Sequence, residues 1–203
     1  SMKPTRSQNR IFEGLSGRAT AQVMARTNRD AEREAIDILS PRPHDRVLAI
    51  GVGSGVGAGL LSARVPQGVV VAIDPSEAMV AETRRRNHRQ IAEGRMSVHL
   101  AAAHAVPCDS DYFDGAVAVH SIQLWEPMAA SLGEVARVLH RSAKLVTITH
   151  DWAVQRSTGR KVEDWFDWIE SLALAHGFVE VTMQHAAADK GTAVVVSFTR
   201  GER

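Results

Sequence analysis

The sequence predicts a doubly wound α/β fold: a mostly parallel seven-stranded sheet that ends in an antiparallel strand pair, with an N-terminal helical cover. Three features lead there. Five short, β-branched apolar runs alternate with helical stretches, the order that builds a parallel sheet from strand–helix–strand units. Those runs are continuously apolar rather than alternating, as strands covered on both faces are. The last two strand-like runs are separated by only a few polar residues, too short a connection for a crossover helix, so they must pair antiparallel at the sheet edge.

Each element follows from local signals. A helical stretch over Leu15–Leu39 ends at the Pro-bracketed "SPRPHD", and "RVLAI" follows as the first strand. Further strands are expected at "VVVAID" (Val69–Asp74), "MSVHLA" (Met96–Ala101), "GAVAVH" (Gly115–His120), "AKLVTITH" (Ala143–His150), "GFVEVTMQ" and "GTAVVVSFTR". Helices are expected near Gly57–Arg64, Ser76–Ile91 with Ser76 as N-cap, Pro127–Leu139 and Glu163–Ala175. With 203 residues and 44% hydrophobic composition the chain reads as one domain over 1–203, residues 1–45 forming the cover and 46–203 the core.

Composition narrows the partner. The 24 Lys plus Arg nearly balance 23 Asp plus Glu, which gives no electrostatic case for nucleic acid or an anionic membrane. The single cysteine, Cys108, excludes an internal disulfide framework and a Cys-rich metal module, and fits a reducing compartment. The N-terminus "SMKPTRSQNR" has no apolar h-region and no run of eighteen uncharged apolar residues occurs, so a cytoplasmic protein with a small-molecule partner is expected.

The stretch "VLAIGVGSGVGAGLL" packs five glycines into nine residues behind the first strand. Gly51, Gly53 and Gly55 fall in the turn from that strand into a helix, at the carboxyl edge where nucleotide-like ligands bind and where a missing Cβ lets the backbone approach them. Asp74 ends the second strand about twenty residues on. Alone it would cap the next helix; paired with the glycine turn, its carboxylate can accept both hydroxyls of a ribose. "GSGVGA" also fits the G-x-G-x-x-A dinucleotide fingerprint, but a Tyr-x-x-x-Lys pair is missing, since Tyr112 is followed by Ala116 at the lysine position.

Four motifs in order resemble the S-adenosylmethionine-dependent methyltransferases with a Rossmann-like fold, of the small-molecule type: "VLAIGVGSG", "VVVAIDPSEAMV", "AAAHAVPCDSDYFDGAVAVHSIQLW" and "EVARVLHRSAKLVTITHDW". The resemblance spans roughly Arg46 to Thr199. It implies S-adenosylmethionine as cofactor, S-adenosylhomocysteine as product, and methyl transfer to a small molecule. It assigns Ile50, Gly51, Gly53 and Gly55 to the methionine and ribose end of the cofactor and Asp74 to the ribose hydroxyls. Pro75 and Met79 would lie along the adenine, Ala102, Ala103 and His104 would border its edge, and His120 and Ser121 would face the sulfonium. Two positions depart from the family pattern: Ala49 stands where the first motif carries an acid, and Ala102 where the adenine loop carries one. Each missing charge-assisted hydrogen bond costs about 1.5–3 kcal/mol of binding unless water or backbone substitutes. Restoring both acids should then tighten the adenosyl ligand. The alternative is a degenerate methyltransferase fold used as an adenosyl-ligand-binding or scaffold protein.

Methyl transfer asks mainly for positioning and exclusion of water. A base is needed only for a protonated nucleophile, and the candidates are His120 and His150 at the ends of adjacent strands, with Asp151 placed to fix a tautomer. Their spacing matches no metal-ligand motif, so no metal is expected. Trp125 and Trp152, together with Asp151, are the candidate substrate contacts, whereas Trp165, Ile169, Leu172 and Ala173 have the spacing of a core-facing helix. The cluster Arg84, Arg85, Arg86 reads as solvated charge. Specificity is expected from residues 151–161, from the N-terminal helices, part of which should close over the cleft beside Trp125 and Trp152, and, in a homodimer, from a second subunit.

Overall fold

The computed structural model describes residues 29–188 and 191–202. Strands β1 (Arg46–Ile50), β2 (Val69–Asp74), β3 (Met96–Leu100), β4 (Phe113–Val119), β5 (Leu139–His150), β6 (Phe178–Ala188) and β7 (Gly191–Arg200) form one sheet in the order β3-β2-β1-β4-β5-β7-β6. Six strands run the same way and β7 runs against both its neighbours, so the expected α/β sheet with an antiparallel final pair is what the chain forms. The order reverses between β1 and β4. That is the switch point at which doubly wound sheets open a crevice beyond the carboxyl ends of their strands.

Successive side chains of β1, β2, β4 and the second half of β5 enter opposite cores, which is why those runs are apolar without alternation. On one face, α1 (Arg29–Leu39), α2 (Val56–Arg64) and α3 (Glu77–Arg86) bury Ala35, Ile36, Leu61 and Val80 against Val47, Ala49, Val117 and Val146. On the other, α5 (Met128–Val138) and α7 (Val162–Ala175) bury Leu132, Val135, Trp165, Ile169 and Ala173 against Leu48, Ile73, Leu145 and Val196. Burying one such aliphatic side chain is worth about 1.5–3 kcal/mol.

Three sequence expectations shift. The Ser76–Ile91 helix divides into α3, capped by Ser76 as expected, and α4 (His88–Ala92), because the Asn87 amide donates to both Gly55 O and Thr83 O at 3.0 Å and turns the chain there. Residues after His150, for which no element is expected from the sequence, form helix α6 (Asp151–Thr158), closed by Gly159 in the left-handed conformation. Strand β5 begins at Leu139, with a register shift against β4 between Phe113 and Gly115. The expected helix over Leu15–Leu39 is described from Arg29 onward; its earlier part, including the segment expected to close over the cleft, lies outside the described residues. No helix among the described residues is long and apolar enough to cross a membrane.

Candidate functional site

The glycine loop leaves β1 with Gly51, Gly53 and Gly55 at φ of +68°, +52° and +78°, a region side chains rarely adopt. The three are bare for different reasons. A Cβ on Gly51 would collide with the Ser121 side chain at the end of β4, and one on Gly55 would come within 2.8 Å of Thr83 in α3. A Cβ on Gly53 would meet nothing within 4 Å, so this is the glycine whose open side faces free space.

Asp74 turns the loop into a fixed surface. Its Oδ2 accepts the Gly53 N–H and its Oδ1 the Ser76 N–H, both at 2.9 Å. Burial pushes its carboxyl group above the usual carboxylate range, and the two N–H groups pull the other way. Each oxygen retains a second lone pair for a ligand hydroxyl. From the other side, Thr83 Oγ1 donates to Gly53 O at 2.9 Å and Arg86 Nε to Ser54 O at 2.9 Å. Arg84 donates to Val98 O, and Arg85 pairs with Glu82. The basic cluster thus ties α3 to the loop and to β3.

The other expected cofactor positions are placed as follows. Ile50 is buried and its carbonyl accepts the Ser121 hydroxyl at 3.0 Å, which stitches the ends of β1 and β4 together and uses the Ser121 donor. Pro75 is exposed at the end of β2, and Met79 is buried in the first turn of α3. In the turn after β3, Ala103 is buried, Ala102 half-buried and His104 exposed.

The ends of β4 and β5 bring the two candidate bases together. The His120 ring stacks on the His150 ring with centroids 4.4 Å apart and planes 8° apart, and His150 stacks on Trp152 at 5.6 Å and 20°. His120 is in the left-handed region at φ +53°, its N–H donating to Ile148 O, and its buried Nδ1 has no hydrogen-bond partner among the described residues. Burial, and then the neighbouring His150, lower its pKa to about 4. Asp151 accepts the Thr192 hydroxyl from β7. Trp152 is 49% exposed, whereas Trp125, 9% exposed, is packed into the core beneath the site.

Two participants carry no sequence signal. Gln123, in a short 3-10 turn, donates to His120 O at 3.0 Å and accepts the Thr149 hydroxyl at 2.8 Å, so it braces the ends of both strands; nothing in "SIQLW" marks it. Glu32 of α1 lines a small cavity beside Ala49 and Gly51.

A family model described as methyltransferase domain matches residues 47–142. The chain is 31% identical over 152 residues to an uncharacterized 37.1 kDa protein in transposon TN4556 of Streptomyces fradiae, covering 72% of this chain and 43% of that protein. It is 24% identical over 139 residues to the putative methyltransferase YrhH of Bacillus subtilis (strain 168), covering 68% and 73%. A crystal structure of a SAM dependent methyltransferase from Aquifex aeolicus matches with a TM-score of 0.71 at 18% identity, over 90% of this chain and 97% of that one. The chain thus spans less than half the length of the first of these curated relatives.

Proposed function

Because the chain belongs to the S-adenosylmethionine-dependent methyltransferases of Rossmann-like fold, we propose that it binds S-adenosylmethionine at the carboxyl edge of β1 and β2 and methylates a small molecule held against the His120–His150–Trp152 stack. The observation that carries this reading is the open side of Gly53 beside the buried Asp74 carboxylate, across the switch point from a stacked histidine pair. The residues present fit the donor: a bare backbone for close approach, lone pairs on Asp74 for ribose hydroxyls, and Pro75, Met79, Ala102, Ala103 and His104 bordering the space for the base. Ile50 and Ser121 shape the floor between β1 and β4 through their mutual hydrogen bond.

A bound sulfonium donor would supply the methyl group for an in-line displacement by the acceptor's lone pair, with the S–CH3 electron pair left on sulfur. His120 is neutral at neutral pH, since its pKa is lowered to about 4. A ring that weakly basic holds a proton poorly. Its role is to accept a hydrogen bond from the acceptor's X–H, so aiming the lone pair, while the departing proton leaves to solvent. Trp152 offers an exposed ring for an apolar or cationic acceptor.

Calorimetry on one preparation with S-adenosylmethionine, S-adenosylhomocysteine and NADH tests the reading. Heat of binding with the adenosyl sulfur ligands and none with NADH is expected; the reverse overturns it.

A further inference from the structure

The first strand lacks an acid at Ala49, yet an acid reaches the same place from another element. Helix α1 packs over β1, β4 and α2 by burying Ala35 and Ile36, and one turn earlier it projects Glu32 toward the glycine loop. Glu32 lines a cavity of about 10 Å³ with Ala49, Gly51, Val52, Val117 and Val119. Such a volume is room for about one water or one small charged group. Glu32 as a whole is half-buried, with its carboxyl end set in toward β1 and the glycine loop.

Gly57 shows how closely that carboxyl is seated. A Cβ on Gly57 would collide with Oε2 and Cδ of Glu32. The fourth glycine of the run therefore leaves the space in which the acid of α1 sits. Ala49 serves the same end, because its methyl group leaves the cavity open where a longer side chain would fill it.

The described residues provide poorly for the carboxylate. Among the described residues it makes no hydrogen bond or ion pair, and the other wall residues are apolar or glycine. Neither β1, α2 nor β4 turns a titratable side chain into the cavity, and on α1 Arg33 pairs with Asp30 on the exposed side. Burial alone raises its pKa to about 8. A carboxyl withdrawn from water with no partner among the described residues is costly unless a cation arrives to meet it.

We propose that Glu32 is a cofactor-binding residue, which supplies from α1 the carboxylate that Ala49 lacks and receives the ammonium of the cofactor's aminoacyl end. The inference rests on the methyltransferase reading, and it makes the helical cover part of the donor site. A β1 acid and Glu32 are then alternative occupants of one cavity.

Calorimetric titration of wild type and Glu32→Gln with two ligands tests it: S-adenosylhomocysteine, and its analogue with hydrogen in place of the α-amino group. Glu32→Gln is expected to weaken S-adenosylhomocysteine roughly ten- to a hundredfold, and to leave the analogue within about twofold of wild type, which also shows the variant folded. Equal affinity of both proteins for S-adenosylhomocysteine overturns the proposal while the methyltransferase reading stands. Parallel loss of both ligands overturns it in favour of a packing role. If wild type binds neither ligand, the methyltransferase reading itself fails and the proposal falls with it.

Discussion

The imidazoles of His120 and His150 lie face to face at 4.4 Å across the junction of β4 and β5, so two positive charges cannot be accommodated there at once. With burial, this holds His120 at a pKa of about 4, against 6.5 for an exposed histidine. The folded protein then binds fewer protons than the unfolded chain between those values. Stability from this site is fully present above about 6.5 and is lost as pH falls through about 4. His120→Asn keeps a residue that tolerates φ +53° and removes the titration. Melting temperatures at pH 7 and 4.5 should fall less for the variant than for wild type; an equal fall would place the acid sensitivity elsewhere.

The loop glycines should separate by variant. Gly53→Ala meets open space, so only its positive φ opposes it, at about 1–2 kcal/mol. Gly51→Ala adds a collision with Ser121, costing about a further 1–3 kcal/mol. Urea unfolding should therefore rank Gly51→Ala below Gly53→Ala, and Ser121→Gly should recover part of the Gly51→Ala loss but none of the Gly53→Ala loss.

Asp74→Asn should lower both stability and affinity for S-adenosylhomocysteine. A carboxyl whose pKa is raised by burial would, without partners, stabilise the free protein on becoming neutral. Here both oxygens hold backbone N–H groups, and replacing one oxygen with NH2 leaves Gly53 or Ser76 unpaired at about 1–3 kcal/mol. A more stable Asp74→Asn protein would show that those bonds are dispensable.

Glu32 can also be followed without ligand. Its folded pKa of about 8 exceeds the ordinary 4.5, so the folded state binds more protons between these values and stability falls as pH rises from about 4.5 through about 8. Glu32→Gln removes that slope, and the variant should be the more stable protein at pH 9. Gly57→Ala should cost wild type more stability than it costs Glu32→Ala, by the modest amount needed to swing the flexible Glu32 side chain out of its seat. Additive losses in that pair would argue against the seating.

The same geometry changes what the missing acid at Ala49 implies. From the sequence, Ala49→Glu together with Ala102→Asp reads as a repair that tightens the ligand. With Glu32 in the cavity, Ala49→Glu alone places two carboxylates in about 10 Å³ and is expected to weaken S-adenosylhomocysteine binding; the gain should come only when Glu32→Ala accompanies it.

What the sequence showed and hid follows from the range of the interactions. The limits of β1 and β2 are written in their own apolar runs and in the proline and glycine breaks beside them, and Ser76 caps α3 through a contact three residues away. The break at Asn87 depends on Gly55, 32 residues distant, so a helical pattern ran through it unbroken. The glycine pattern was legible, but the partners that require it, Ser121, Thr83 and Glu32, come from three separate elements. His120 and His150 were placed together by strand order alone; their stacking, and Gln123 beneath them, depend on backbone geometry that no local signal encodes. Trp125 and Trp152 look alike in sequence and differ in burial because one precedes α5 toward the core while the other starts a surface helix.

Strand β6 touches the sheet only through β7, and β5 pairs with β7 rather than with β6. During synthesis β6 therefore emerges without its native partner, and must wait for β7 to slot between it and β5. His150 pairs in that ladder with Ala193. The donor side of the cleft, built from β1 and β2, can assemble while the chain is still growing, but the histidine side is completed only when β7 arrives. A ribosome stalled before Gly191 would hold a chain with its glycine loop formed and its reactive edge open.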